Sequence, residues 1–143
     1  MATYKVEAII DGEPTFCVPL NLILAELDIG GALKVLSPLE YHTDRQRKWY
    51  RGICLKGLSD WNGDTVEEWD AGLKAECGGD ELLNKETVYM GQMSNGKPVV
   101  LERRTIVGVG KRNMTTFIEN ILSKSIEKGW IVTPPDPELR INA

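Results

Sequence analysis

The segment from Thr43 to Trp61 restricts the fold more than any other stretch, because it has the pattern of a two-faced helix. Thr43 and Gln46 have the spacing of a capping box, in which two side chains satisfy the first free amides of a helix. At about 100° per residue, one arc carries mostly apolar and aromatic residues: Gln46, Trp49, Tyr50, Ile53, Cys54 and Trp61. The remaining arc carries Arg45, Arg47, Lys48, Arg51 and Lys56. We therefore predict a helix that begins at Thr43, with one core face and one positive face.

The positive face stands out because the chain as a whole is acidic. The 143 residues carry a formal net charge of -4, which argues against a protein that coats nucleic acid over its entire surface. Solvated helix faces also carry Arg and Lys. The sequence thus leaves two interpretations of this face, an ordinary solvated surface and a binding site for an anionic partner.

Length and composition indicate one globular domain. Hydrophobic residues make up 42% of the chain and charged residues 27%, and the length suffices for a core. No apolar run has membrane-spanning length and the start lacks signal-peptide features, so we expect a cytoplasmic protein. Cys17, Cys54 and Cys77 are widely spaced and favour neither disulfides nor zinc. We predict no metal and no cofactor.

Strand and helix signals alternate through the N-terminal part, residues 1–42. We predict a strand from Thr3 to Ile10, a turn over Asp11-Gly12-Glu13-Pro14, a short helix from Leu20 to Leu27, and an edge strand from Ala32 to Leu39. In the edge strand, Pro38 cannot donate a ladder hydrogen bond.

The later part, residues 43–143, continues with further helix signals and one hairpin. Thr65 and Glu68 form a second capping box, residues 80–85 resemble a loop, and Asn95–Gly96 between two β-prone runs predicts a hairpin. A last helix from Lys111 to Lys128 presents an apolar stripe of Met114, Phe117, Ile118, Ile121, Leu122, Ser125 and Ile126. We predict a single α+β domain over residues 1–143. Its small, mainly antiparallel sheet would combine the N-terminal strands with the hairpin, and three to four helices would pack against it.

Motifs for catalysis are weak. The chain has one histidine, His42, and no G-x-S-x-G motif, and Gly108-Val109-Gly110 lacks the spacing of a phosphate-binding loop. A solvated helix face accounts for the carboxylates of Glu67, Glu68, Asp70 and Glu76. We predict a protein without catalytic residues.

Two stretches resemble the phage lambda Orf (NinB) family of recombination accessory proteins. The first is Thr43-Asp44-Arg45-Gln46-Arg47-Lys48-Trp49-Tyr50, followed by Trp61-Asn62-Gly63 and the helix capped by Thr65. The second runs from Arg104-Thr105-Ile106 through Lys111-Arg112 and Phe117-Ile118-Glu119 to Gly129-Trp130 and Pro134-Pro135-Asp136-Pro137. Gly110 stands where the family has a Ser or Thr cap.

The resemblance implies a small α+β homodimer that binds single-stranded DNA. Such a protein would assist strand loading or annealing together with single-strand-binding protein or a recombinase. The basic residues that match the family helix, with supplementary ones from the hairpin and the last helix, are Arg45, Arg47, Lys48, Arg51, Arg103, Arg104, Lys111 and Arg112. Cations would neutralise phosphates. We expect Trp49 and Tyr50 to be core residues, although aromatic faces can also stack on unpaired bases.

The sequence leaves a second function open, in which a small phage protein binds and inhibits a host factor such as a defence nuclease. Binding of single-stranded DNA separates the two. On either reading we expect a homodimer, with the last helix or residues 130–137 at the interface, because the apolar stripe exceeds what one small sheet can cover.

Overall fold

A computed structural model describes residues 3–25 and 27–141, and it confirms the α+β class. The chain divides into two compact units, Met1–Val35 and Leu36–Ala143. The prediction that residues 1–143 form one domain stays a prediction. Within the described residues, no helix is both long enough and apolar enough to cross a membrane.

The first unit contains a short β-hairpin and one helical turn. Strands β1 (Ala8–Ile10) and β2 (Glu13–Thr15) pair antiparallel across Asp11 and Gly12, whose φ angles of 52° and 80° are those of a tight hairpin turn. The predicted turn is therefore two residues too long, because its last two residues already pair with β1. Helix α1 spans Leu20–Ile23. No described residue between positions 3 and 35 is buried. Without a core to cover them, the predicted strand from Thr3 and the predicted helix to Leu27 form only in part; Glu26 lies outside the described residues.

Two strand predictions are wrong. Residues 32–37 adopt neither strand nor helix, so the predicted strand from Ala32 to Leu39 does not form. The N-terminal strands also do not join the Asn95–Gly96 hairpin, because each of the two sheets in the described residues has two strands of its own.

The basic helix begins earlier than predicted. Helix α2 spans Pro38–Trp49, and the Ser37 side chain accepts a hydrogen bond from the Glu40 amide at 3.1 Å. The capping box is therefore Ser37 to Glu40, with Pro38 at the first helical position, where a missing N–H costs nothing. The Thr43 hydroxyl lies inside the helix and donates to the carbonyl oxygens of Leu39 and Glu40. The predicted start at Thr43 is wrong because the stronger cap lies upstream.

A π-helical segment, Tyr50–Leu55, follows α2 and leads into α3 (Lys56–Asn62). A π turn contains an extra residue, which rotates the following side chains around the helix axis. Leu55 and Leu58 are consequently buried at 3% and 0% exposure, whereas the predicted core residues Ile53 and Trp61 are 47% and 43% exposed. The earlier part of the predicted apolar arc, from Gln46 through Cys54, is otherwise buried as expected.

Helix α4 (Val66–Leu73) confirms Thr65 as the predicted N-cap, since the Thr65 side chain accepts from the Glu68 amide at 3.1 Å. A second π segment, Lys74–Gly78, and the short helix α5 (Gly79–Leu82) follow. The predicted loop over residues 80–85 is therefore partly helix, and its last two residues already belong to the next strand.

The hairpin and the last helix are confirmed. Strands β3 (Asn84–Gln92) and β4 (Pro98–Thr105) pair antiparallel around Asn95–Gly96, with a bulge at Met90. Helix α6 spans Lys111–Lys128 and ends at Gly129, whose φ of 73° suits glycine. Residues Pro137–Arg140 form a 3₁₀ turn.

The core of the second unit lies between the helical run from α2 to α3 and helix α6. The ring centroids of Tyr50 and Phe117 lie 5.1 Å apart, and those of Trp69 and Trp130 lie 5.0 Å apart in an edge-to-face arrangement. The apolar stripe of α6 is buried in this core except at Ile126, which is 86% exposed. The stripe is thus covered by its own chain, which removes the reason for placing a dimer interface there.

Candidate functional site

Arg45, the first predicted phosphate ligand, is tied to the C-terminal segment. Its side chain is 24% exposed and forms ion pairs with Glu138 and, at 2.8 Å, with Asp136. The guanidinium carbon also lies 5.6 Å from the centre of the Tyr41 ring. Burial alone would lower the pKa of Arg45, but its hydrogen bond and charge interaction with Glu138 outweigh burial, and the pKa is raised. Arg45 is therefore already bound to two carboxylates.

Arg47 joins α2 to the loop that precedes α6. Its Nη2 donates to the carbonyl oxygen of Val109 at 3.2 Å, while its Nε is shielded from solvent and has no hydrogen-bond partner in the described residues. Val109 is 3% exposed. Arg47 is consequently a half-buried bridge between two elements rather than a member of a fully solvated face.

The N-terminus of α6 lies at the other end of this bridge. Its cap residue, Gly110, has no side chain with which to satisfy the first amides, and the first turn contains Lys111 and Arg112 but no acidic residue. Free amides and the helix dipole both favour a negative charge at this position, and the two cations add to that preference. The preceding loop turns at Gly108, with φ of 75°, where the Val109 amide donates to the Ile106 carbonyl at 3.1 Å.

His42, the single histidine of the chain, lies among these cations. Burial lowers its pKa, and the nearby positive charges of Lys111 and Arg45 lower it further. Its Nε2 is buried without a hydrogen-bond partner in the described part of the chain. His42 is therefore close to one cation from α2, Arg45, and to one from α6, Lys111. No spacing in the sequence connects His42 with Lys111, which lies far along the chain.

Three cations occupy the solvent-facing side of this region. Lys48 is exposed and pairs with Asp44 at 3.0 Å, an exposed helix pair of the kind that contributes little. Arg51 and Arg112 are also exposed, and their side chains make no ion pair within residues 3–25 and 27–141. We define the basic surface as Lys48, Arg51, Lys111 and Arg112.

The two hairpin arginines are held by acidic neighbours. Arg103 pairs with Glu86, and Arg104 pairs with Asp80 at 3.0 Å. Lys85 approaches the same Asp80 at 3.4 Å. Hydrogen bonds from Arg104 and Lys85 lower the pKa of Asp80, and the charged carboxylate forms ion pairs with both of these cations. Arg103 and Arg104 therefore belong to a locally neutralised cluster at the base of the hairpin.

The groups that most often carry chemistry are inaccessible or dispersed. Burial raises the pKa of Cys54 to about 12 and that of Cys77 to about 11, so both thiols are protonated at neutral pH. The Tyr50 hydroxyl donates to Asp70 at 2.6 Å, and burial together with this bond raises its pKa. Over residues 3–25 and 27–141, no three His, Cys, Asp or Glu side chains are grouped to hold a metal ion.

The hairpin carries an apolar surface that the sequence analysis did not identify. Its exposed side chains lie on both faces of the ribbon: Tyr89, Met90, Met93, Val99, Val100 and Leu101, each between 40% and 61% exposed. Tyr89 stands opposite Val100, and Val88 stands opposite Leu101. Apolar residues on both faces of a strand normally indicate burial on both faces.

The chain was compared with protein-family models, curated proteins and solved structures. No protein-family model, no curated protein and no solved structure matches this chain.

Proposed function

We propose that the protein binds single-stranded DNA without sequence preference and acts as a phage-type recombination mediator. In this role it assists strand loading or annealing together with single-strand-binding protein. The observation that carries the proposal is the basic surface, on which Arg51 and Arg112 are exposed and make no ion pair in the described residues. In a chain with a net charge of -4, Lys111 and Arg112 also stand in the first turn of α6, which has no acidic residue.

The chemistry of the surface favours contacts with phosphate over contacts with bases. Arginine, lysine and free helix amides bind phosphate oxygens and carry no sequence information. Trp49 and Tyr50 are 3% and 1% exposed, so they cannot act as stacking platforms for bases. Binding through phosphates alone is weak at physiological salt and is easily reversed, as a protein that hands a strand onward requires.

The salt dependence of binding tests this proposal. Lys48, Arg51, Lys111 and Arg112 offer about four phosphate contacts, so the binding constant for a labelled oligothymidylate should fall with a log–log slope of about -3 as salt rises. A mixed-sequence strand of equal length should bind within about twofold of oligothymidylate, because the contacts do not read bases. Absence of binding at low salt in fluorescence anisotropy would reject the proposal.

Besides the basic surface for DNA, the exposed apolar hairpin favours a second contact, with another protein chain. A two-stranded ribbon alone is marginally stable in water. Within the described residues β3 and β4 pair only with each other, so each strand has an edge that a further strand could join. A second copy of the same chain supplies an identical apolar ribbon and closes the contact by two-fold symmetry. We therefore propose the hairpin as the interface of the expected homodimer, in place of α6, whose apolar stripe is buried.

Light scattering at micromolar concentration should give twice the 16.0 kDa mass of the chain. Replacing Tyr89 and Val100 together by serine should return the mass to that of the monomer, because both belong to one exposed cross-strand pair. Ile126→Ser is the matched control, since Ile126 is exposed on α6 and should leave the dimer intact. A monomeric wild type would reject the dimer, and the apolar hairpin would then be expected to bind a different protein. The inhibitor of a host factor would then be the favoured function.

A further inference from the structure

The segment from Trp130 to Arg140, named the C-terminal strap, is attached to α2 and α6 at several points. Trp49 Nε1 donates to the Thr133 carbonyl at 2.9 Å, and Gln46 Nε2 donates to the Leu139 carbonyl at 3.0 Å. Arg140 forms a two-pronged ion pair with Glu119, at 2.6 and 3.2 Å. Leu139 is 3% exposed. The strap is thus anchored by contacts that do not involve its own carboxylates.

Two carboxylates of the strap point to the basic helix. The side chains of Asp136 and Glu138 are 72% and 55% exposed, yet both reach the guanidinium of Arg45, one at each terminal nitrogen. A guanidinium presents the same fork of N–H donors to a phosphate. The two carboxylates therefore occupy the donors of Arg45 that a phosphate of a bound strand would use.

We propose that Asp136 and Glu138 are internal competitors for phosphate, which withhold Arg45 from the basic surface and set its affinity for single-stranded DNA. This inference rests on the proposed function. It explains why Arg45, the first cation of the helix motif, is paired internally, whereas Arg51 makes no ion pair in the part of the chain that the structure describes.

The contact has the properties of a reversible competitor. Ion pairs with such exposed carboxylates contribute little to folding, so a phosphate can replace them without unfolding the strap. Arg45 also stays in position when its carboxylates are removed, because the Tyr41 ring supports the guanidinium. The strap keeps its anchors at Thr133, Leu139 and Arg140 in either state.

Neutralising the competitors should strengthen binding. In the full chain carrying Asp136→Asn and Glu138→Gln, the affinity for oligothymidylate should rise by about threefold to tenfold, and the log–log salt slope should become more negative by about 0.7, the contribution of one added phosphate contact. Thermal unfolding should stay close to that of the wild type, since the other strap anchors are retained.

Two controls separate competition from a general change of charge. Glu81→Gln with Glu127→Gln removes the same charge from two exposed residues elsewhere and should change affinity by less than about twofold. In a chain that also carries Arg45→Gln, neutralising Asp136 and Glu138 should bring no gain. A gain that persists without Arg45, or an equal gain in the control pair, would overturn the inference. If the wild type binds and the variant shows no gain, this inference fails alone. If neither variant nor wild type binds at low salt, the proposed function fails.

Discussion

Trp49→Ala should destabilise the protein by about 3–5 kcal/mol, the usual range for removing a large buried aromatic side chain. Trp49 is 3% exposed and packs in the core between α2 and α6. The substitution also leaves the Thr133 carbonyl without its 2.9 Å hydrogen bond from the indole, which loosens the strap. Urea denaturation monitored by circular dichroism measures the free energy of unfolding.

Trp61→Ala provides the matched control on the same helical run. Trp61 is 43% exposed because the π segment at Tyr50–Leu55 turns it out of the core. Its replacement should cost less than about 1 kcal/mol, as for most surface substitutions. Equal losses for the two tryptophans would contradict the rotation of the helix face at the π segment.

Arg51→Glu combined with Arg112→Glu should reduce the affinity for single-stranded DNA by more than about tenfold at low salt. Both side chains are exposed, and neither makes an ion pair in the described residues, so reversing their charge removes phosphate contacts without removing a contact of the fold. The log–log salt slope should fall by about half, because about two of four contacts are lost.

Lys34→Glu with Lys128→Glu makes the same change in net charge in the first unit and at the end of α6. Both lysines are exposed, and binding should change far less than in the Arg51 and Arg112 variant if the basic surface is the site. Equal losses in the two variants would indicate general electrostatic attraction only. Binding as strong as that of the wild type in the Arg51 and Arg112 variant would favour the interpretation of a solvated surface and, with it, the host-factor inhibitor.

Arg45 is unsuited to this charge reversal, although the sequence pattern places it on the solvated arc. A glutamate at position 45 would face Asp136 and Glu138 and create a cluster of three carboxylates. Loss of binding in that variant would therefore not distinguish a lost phosphate contact from a displaced strap.

Elements that depend on neighbouring residues were predictable. Asn95–Gly96 specified the β3–β4 hairpin, Thr65 with Glu68 specified the start of α4, and Gly129 specified the end of α6. The apolar period of α6 also identified the core residues of that helix. In each case the signal and the structure it forms lie within a few residues, where backbone geometry and local hydrogen bonds decide the outcome.

The start of the basic helix was predicted wrongly because two nearby segments could both cap it. Both Ser37 to Glu40 and Thr43 to Gln46 have capping spacing, but only the first has a proline at the first helical position. The same proline is also compatible with an edge strand, which is why its sequence context misleads. Gln46 was then free to serve the core, where its Nε2 donates to Thr115 Oγ1 at 2.9 Å and to the Leu139 carbonyl.

The state of the basic residues depended on parts of the chain that sequence spacing does not connect. Arg45 meets carboxylates more than ninety positions away, and Arg47 meets a carbonyl oxygen sixty-two positions away. A helical period tells which residues share a face, but it contains no information about which distant segment packs against that face. Local sequence therefore specified the helices, the caps and the hairpin turn. Tertiary packing alone decided which cations are paired and which face solvent, because ion pairing depends on distance in space and not along the chain.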